Sequence, residues 1–281
     1  MKAVSHGLRT SLAILFVFTI LFALVACGGG GGGETSGGGG DTTGGGNTGP
    51  FTMSQYFPLS DGDTWTYKDT YTDGSEYATN TVTGTVSIGG VATKETTETY
   101  SNATGFGNDT DKNYNYITSN GSGVTIYQSR YVSGNYWENS AYTPPLNIFP
   151  ASMTIGQKNV ISSIEAFTSS DGTKSTNTTS WEVTLLGVED ITVPAGKFTD
   201  CLKLSLKTSG KVGTNTLWLA YGVGPIKFVT GSSATNDLYT AELVSAKVGG
   251  TQYGSLSKEL TGNSLNTETN MKKRLLRSPK L

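Results

Sequence analysis

The chain has 281 residues and 29.5 kDa, with 20 Lys+Arg against 22 Asp+Glu, two Cys and one His. So even a charge balance speaks against a basic nucleic-acid binder, and two cysteines speak against a disulfide-built scaffold. Glycine is uneven, with 15 of the 38 in the first 50 positions, and threonine is abundant at 43.

The N-terminus has the layout of an export signal. Lys2 and Arg9 precede an uncharged, mostly apolar run of 15 residues from Leu12 to Ala26. A spanning helix needs about 20 residues, so this run suits a signal h-region. It ends in Leu24-Val25-Ala26-Cys27, which resembles the lipobox of bacterial lipoproteins. The resemblance implies a signal peptide over 1–26, a diacylglycerol on the Cys27 thiol and a fatty acid such as palmitate on the freed amine. Membrane lipid is then the first partner, because two or three acyl chains anchor stably where one does not. Gly28 and Gly29 stand where an Asp would mark inner-membrane retention, so the same resemblance favours the outer membrane. Cleavage before Cys27 also removes His6, and with it Ser-His-Asp chemistry and His-ligated metal.

Residues 27–50 read as the lipidated Cys and a disordered Gly-rich linker that lacks apolar surface to order itself. From Phe51 the pattern becomes strand, turn, strand. Trp65 to Tyr71 and Val82 to Ile88 alternate at period two, and Gly89-Gly90, Asn120-Gly121 and Ser133-Gly134-Asn135 punctuate the runs as hairpin turns. Later runs are Val160–Phe167, Trp181–Val188, Ile191–Val193, Cys201–Leu206, Leu217–Tyr221, Ile226–Val229 and Leu238–Val248. The expectation is one all-β domain over 51–250, an antiparallel meander of roughly eleven strands forming a curled sheet or half-barrel. A faint echo links Tyr56-Phe57-Pro58…Gly62 with Ile148-Phe149-Pro150…Gly156, as two half-sheets of similar plan would. Residues 251–281 read as a flexible basic tail, with five Lys+Arg in the last ten positions.

Three segments carry a wider resemblance. Val193-Pro194-Ala195-Gly196-Lys197-Phe198 resembles a V-P-A-G-x-F turn of uncharacterised bacterial lipoproteins. Trp218-Leu-Ala-Tyr-Gly222-Val-Gly224 resembles the W-x-x-x-G-V-G segment that follows it there, and Pro58-Leu59…Gly62…Trp65-Thr-Tyr67 resembles the opening of the same domain. The resemblance implies an extracytoplasmic antiparallel sheet, a half-barrel like the lipoprotein carriers, and transfers no catalytic residue. Read physically, Pro194 and Gly196 make a tight turn, Gly222 and Gly224 mark a bulge or bend, and Trp65 and Trp218 plug the sheet ends.

Candidate chemistry is sparse. Cys201 lacks an assured cation to lower its pKa and reads as an inert, packed thiol. Asp61 with Asp63, and Glu189 with Asp190, are the adjacent carboxylate pairs a glycosidase would need, but both lie in turns. Asn108–Asn113 matches an EF-hand loosely: Tyr114 replaces its glycine and Asn120 its final glutamate, so the segment reads as a polar loop and no metal or cofactor site is expected. Tyr127, Tyr131 and Trp137 head the densest aromatic cluster and are the candidate ligand contacts. The expectation is a non-enzymatic, lipid-anchored protein of the cell envelope that binds a hydrophobic ligand or an envelope protein. The alternatives are a carboxylate-based glycan hydrolase and a surface adhesin domain. Cys27→Ser should abolish both signal cleavage and incorporation of radiolabelled palmitate, and unchanged labelling of the variant would overturn the anchor.

Overall fold

The computed structural model describes residues 49–71, 74–101, 111–208, 213–231 and 239–255; Cys27, the linker up to residue 48 and the tail from residue 256 lie outside them. β1 (Phe51–Thr52) and a 3-10 turn (Met53–Tyr56) lead into β2 (Thr64–Tyr71), β3 (Gly74–Ile88), β4 (Val91–Ser101), β5 (Asp111–Asn120), β6 (Gly123–Ser133) and β7 (Tyr136–Pro150). The short β8 (Ser152–Met153) precedes β9 (Lys158–Ser169), β10 (Lys174–Val193), β11 (Gly196–Thr208), β12 (Thr214–Ala220), β13 (Gly224–Gly231), β14 (Tyr239–Val248) and β15 (Thr251–Gly254).

The antiparallel meander expected from the sequence is present, and its curl runs to closure. β14 pairs with β2 on one side and with β13 on the other, so β2–β7 and β9–β14 form a barrel of twelve strands. Closure removes the unpaired edges that a half-barrel would leave. Strand Lys174–Val193 absorbs two of the expected runs, because a bulge between Glu189 and Ile191 lets one strand continue where the alternation breaks. Pairing also continues past residue 250, since Thr251–Gly254 returns along β14.

The wall is sided. Leu185, Leu202, Leu204, Leu217, Leu219 and Leu243 are fully buried inside, while Lys68, Thr70, Thr83 and Lys207 stand exposed outside. Apolar inside and polar outside is the reverse of a membrane-spanning barrel. The end carrying the turns at 89–90, 121–122, 194–195 and 249–250 is the apolar one. The N-terminal segment closes it: Phe51, Met53 and Phe57 are buried there, Met53 N–H donates to Ala151 O at 3.1 Å, and Gly222 N–H donates to Gln55 O at 2.8 Å.

The echo in the sequence is a repeat in space. Asp63 N–H donates to Ser60 O and Gln157 N–H to Thr154 O; Gly62 N–H donates to Val82 O and Gly156 N–H to Leu185 O. The side chains of Asp63 and Gln157 accept from Ser60 N–H and Thr154 N–H, both at 2.9 Å. Gly62 and Gly156 have φ of 85° and 83°. Bulges follow at matching places, Val82/Gly84 on β3 and Leu185/Gly187 on β10, then at Tyr127 on β6 opposite Tyr116/Ile117 and at Ile226 on β13 opposite Trp218/Leu219. The barrel is two six-stranded units, β2–β7 and β9–β14, of one plan.

Gly123 opens β6 at φ 110°, and a Cβ there would run into the backbone carbonyl of Phe149. Both conformation and space demand glycine. Gly123→Ala should therefore cost on the order of 2–4 kcal/mol in urea denaturation, and Gly121→Ala, which meets nothing, under about 0.5 kcal/mol.

Candidate functional site

The opposite end of the barrel interior is polar, and its chemistry was not read from the sequence. Inward positions of β2, β3 and β4 carry Asp69, Glu76, Asn80 and Glu98, with relative exposures of 2, 8, 4 and 2%. Register brings them together. Asp69 lies opposite Glu76, Asn80 opposite Glu98, and Glu98 opposite Asn113 on β5. Glu98 accepts from Tyr100 OH at 2.6 Å, Asn80 Nδ2 at 3.0 Å and Asn113 Nδ2 at 3.3 Å. Tyr71 OH donates to Glu76 at 2.8 Å, and Tyr239 hydrogen-bonds Asp69. Asn80 Oδ1 is buried without a hydrogen-bond partner.

Burial sets the electrostatics, because it penalises the charged form. It pushes Glu98 up to about 7, although the bonds from Tyr100, Asn80 and Asn113 pull the other way. It also raises Asp69, with Glu98 and Glu76 adding like-charge repulsion. Tyr67, Tyr100 and Tyr239 are raised for the same first reason and remain neutral donors.

A second group continues the polar lining around the wall. Tyr142 lies opposite Glu165, and the hydroxyls of Tyr142 and Ser129 are 3.2 Å apart. Glu165 is 5% exposed, is raised by burial and accepts from Ser140, while its Oε2 has no partner. On β5, β6 and β7 a half-open recess of about 30 Å³ is lined by residues 113–115, 129–131 and 138–140, among them both Arg130 and Glu138.

The repeat gives a built-in comparison. By register, Asp69, Glu76, Asn80 and Glu98 correspond to Ser163, Thr179, Val183 and Leu206 in the second unit. At these four positions the second unit has no carboxylate, although Glu165 of β9 is buried in its wall, so the architecture does not require acids at those places.

The sequence candidates are distributed differently. Tyr131 lines the recess, but Trp137 is one register step away on the outer face, where Arg130 lies 5.8 Å over its ring. Tyr127 sits at the β6 bulge between Ile126 and Gln128. Pro194 and Ala195 form a two-residue turn closed by the Val193–Gly196 pair, and Ala195 N–H donates to Leu243 O at 2.9 Å. Phe198, half-buried, stacks 6.0 Å from Tyr253. Trp65 plugs the apolar end as expected, with Nε1 donating to Val223 O at 2.7 Å between Gly222 and Gly224, and Tyr67 OH donates to Pro225 O at 2.9 Å. Two of the motif segments thus meet by hydrogen bonds. Trp218 does not plug an end. Leu217 and Leu219 take the inside, leaving Trp218 outside beneath Lys203 and Lys227, its Nε1 donating to Glu189 at 2.6 Å.

The adjacent carboxylate pairs have local partners. Asp63 accepts from Ser60 and Gly249 N–H, Asp61 pairs with Lys94 at 2.8 Å, and Asp190 pairs with Lys197 at 2.8 Å. Cys201 is fully buried, and burial pushes its thiol up to about 12. The segment from Asp111 is strand β5, while Asn108 to Thr110 fall outside the described residues. Among the described residues no group of three or more His, Cys, Asp or Glu is placed to hold a metal ion.

No family model matches the chain, and no curated protein does. Two solved structures are similar. One, provisionally assigned as a lipoprotein of Parabacteroides distasonis ATCC 8503, is 14% identical over 67% of this chain and 96% of that chain, with a TM-score of 0.36. The other, provisionally assigned as an exported protein with a YmcC-like fold from Bacteroides fragilis NCTC 9343, is 14% identical over 66% and 96%, with a TM-score of 0.42. Likeness at this level assigns neither family nor function.

The raised carboxyls bear on stability. Between the ordinary carboxylate range and about 7, folded Glu98 holds a proton that the unfolded chain has released. Stability from this group is full below that window and is lost as pH rises through it. The melting temperature should fall between pH 4.5 and 7.5, by an amount worth up to a few kcal/mol, and Glu98→Gln should flatten the slope. An equal slope in the variant would show that Glu98 is not the titrating group.

Proposed function

We propose that the protein is a bacterial cell-envelope lipoprotein, anchored through Cys27, whose barrel binds a small polar ligand at its polar end without catalysing a reaction. The export signal and lipobox support the location, and Gly28 and Gly29 favour the outer membrane within it. The observation that carries the binding role is the contrast between the repeats: one unit lines its interior with Asp69, Glu76 and Glu98 where its counterpart uses Ser163, Thr179 and Leu206. Buried carboxylates destabilise unless compensated, and the corresponding positions of the other unit do without them, which supports a role for them beyond packing. The recess beside them is lined by polar and charged residue types, whereas the apolar end is filled by its own side chains and by Phe51, Met53 and Phe57. This weighs for a polar ligand over an acyl chain.

Native mass spectrometry of the full lipidated protein purified from cells should show a small polar adduct. Ser140→Leu, which fills the recess, should lose it. Protein free of adduct, or carrying only fatty acid, would overturn the reading.

A further inference from the structure

The large apolar side chains that stand exposed are not spread evenly over the barrel. Among the described residues they are Val91, Ile155, Val160, Ile164, Leu186 and Tyr221. Val91 follows the turn at 89–90, Ile155 lies in the turn between β8 and β9, and Tyr221 lies in the turn between β12 and β13, all at the end that the N-terminal segment closes. Leu186 reaches the same rim, because Gly156 N–H donates to Leu185 O at 2.7 Å. Val160 and Ile164 stand on the outer face of β9, and none of the six belongs to the polar end. Single exposed apolar residues are ordinary, but three of these are joined. Ile155 and Leu186 flank the entering chain on one side, through the pairing of Ser152–Met153 with Phe51–Thr52. Tyr221 flanks it on the other. There Gly222 N–H donates to Gln55 O at 2.8 Å, and the Tyr221 ring, 61% exposed, stands edge-on to Tyr56 with centroids 5.5 Å apart. A belt from Leu186 to Tyr221 thus crosses the pole by way of residues 51–56. Ionic groups of the rim are matched in pairs, Lys94 with Asp61, Lys158 with Glu182 and Lys197 with Asp190.

We infer that this pole rests on the bilayer that holds the chain's own anchor, with Ile155, Leu186 and Tyr221 in the headgroup region and the polar end turned away from it. The inference rests on the anchoring through Cys27 proposed above. What selects lipid over another protein is where the chain enters. Residues 28–48 are all that separate Cys27 from Gly49, and Gly49 leads into the belt at Phe51. A Gly-rich stretch of that length has a mean reach of about 25 Å. The anchor therefore presents the bilayer to this pole at high effective concentration, and contacts too weak to hold a free protein on a membrane suffice. The chemistry fits as well. Aliphatic side chains gain by leaving water, a tyrosine ring with a hydroxyl at its tip suits the interface, and matched ion pairs add no net charge against anionic headgroups. The opposite pole, with Asp69, Glu76 and Glu98 inside it, has no exposed large apolar side chain among its described residues.

The test is fluorescence of the full lipidated protein in vesicles of phosphatidylethanolamine and phosphatidylglycerol. A nitrobenzoxadiazole dye is placed on one introduced thiol: Ile155→Cys, Leu186→Cys, Tyr221→Cys or, at the polar end, Lys174→Cys. All four positions are exposed, and Cys201 is fully buried, so the introduced thiol is the one that reacts. Nitroxide-bearing phospholipid should strip most of the fluorescence from the three rim labels and leave the Lys174 label bright. Rim labels as bright as the Lys174 label, or all four quenched alike, overturn the inference while the anchor stands. So do rim labels shielded from water yet untouched by the nitroxide lipid, which would put protein on this pole. Protein that does not float with the vesicles ends the anchoring reading and the inference with it.

Discussion

Twelve strands enclose more space than side chains readily fill. Eight make a lumen that a packed interior can occupy, and sixteen leave a channel. This barrel meets the constraint in two ways along one axis. At one end leucines from β10 to β14 meet across the lumen, Trp65 and Tyr67 reach the carbonyls of Val223 and Pro225, and the N-terminal segment is driven in as a stopper. At the other end the space is bridged by long polar side chains in a hydrogen-bonded net.

The two solutions do not follow the symmetry of the fold. Each six-stranded unit has the same entry turn and the same bulges, yet the acids cluster in the first unit. A hydrogen-bonded net at low dielectric is strong when complete and costly when incomplete. Here it is nearly complete around Glu98 and incomplete at Asn80 and Glu165. That asymmetry supports the binding role proposed above.

Much of the architecture was legible. Gly89-Gly90, Asn120-Gly121 and Pro194-Ala195 are turns where the sequence placed them, because glycine, asparagine and proline act locally on backbone angles. The repeat was visible only as Phe-Pro and a distant Gly, since hydrogen bonds such as Gly156 to Leu185 are made by backbone and leave little trace in side chains. Closure was not legible, because it depends on the last long strand meeting the first, Thr240–Lys247 along Thr64–Thr70, through residues of no special kind. The acid cluster was hidden for a sharper reason. Period-two alternation tells which residues share a face, and polarity then says which face is wet. In Glu76-Tyr77-Ala78-Thr79-Asn80 both faces are polar, so that second step fails. The aromatic cluster failed likewise: Tyr131 and Trp137 are close in space but on opposite sides of one wall.

The chain enters the barrel at its stoppered pole, through Phe51 and the two-residue pairing of β1 with β8. Under the anchoring proposed above, pull on the chain ahead of Phe51 would act on the stopper and on little else. Such load would reach Met53 and Phe57 long before it reached Glu98, and the acidic pole would keep its shape.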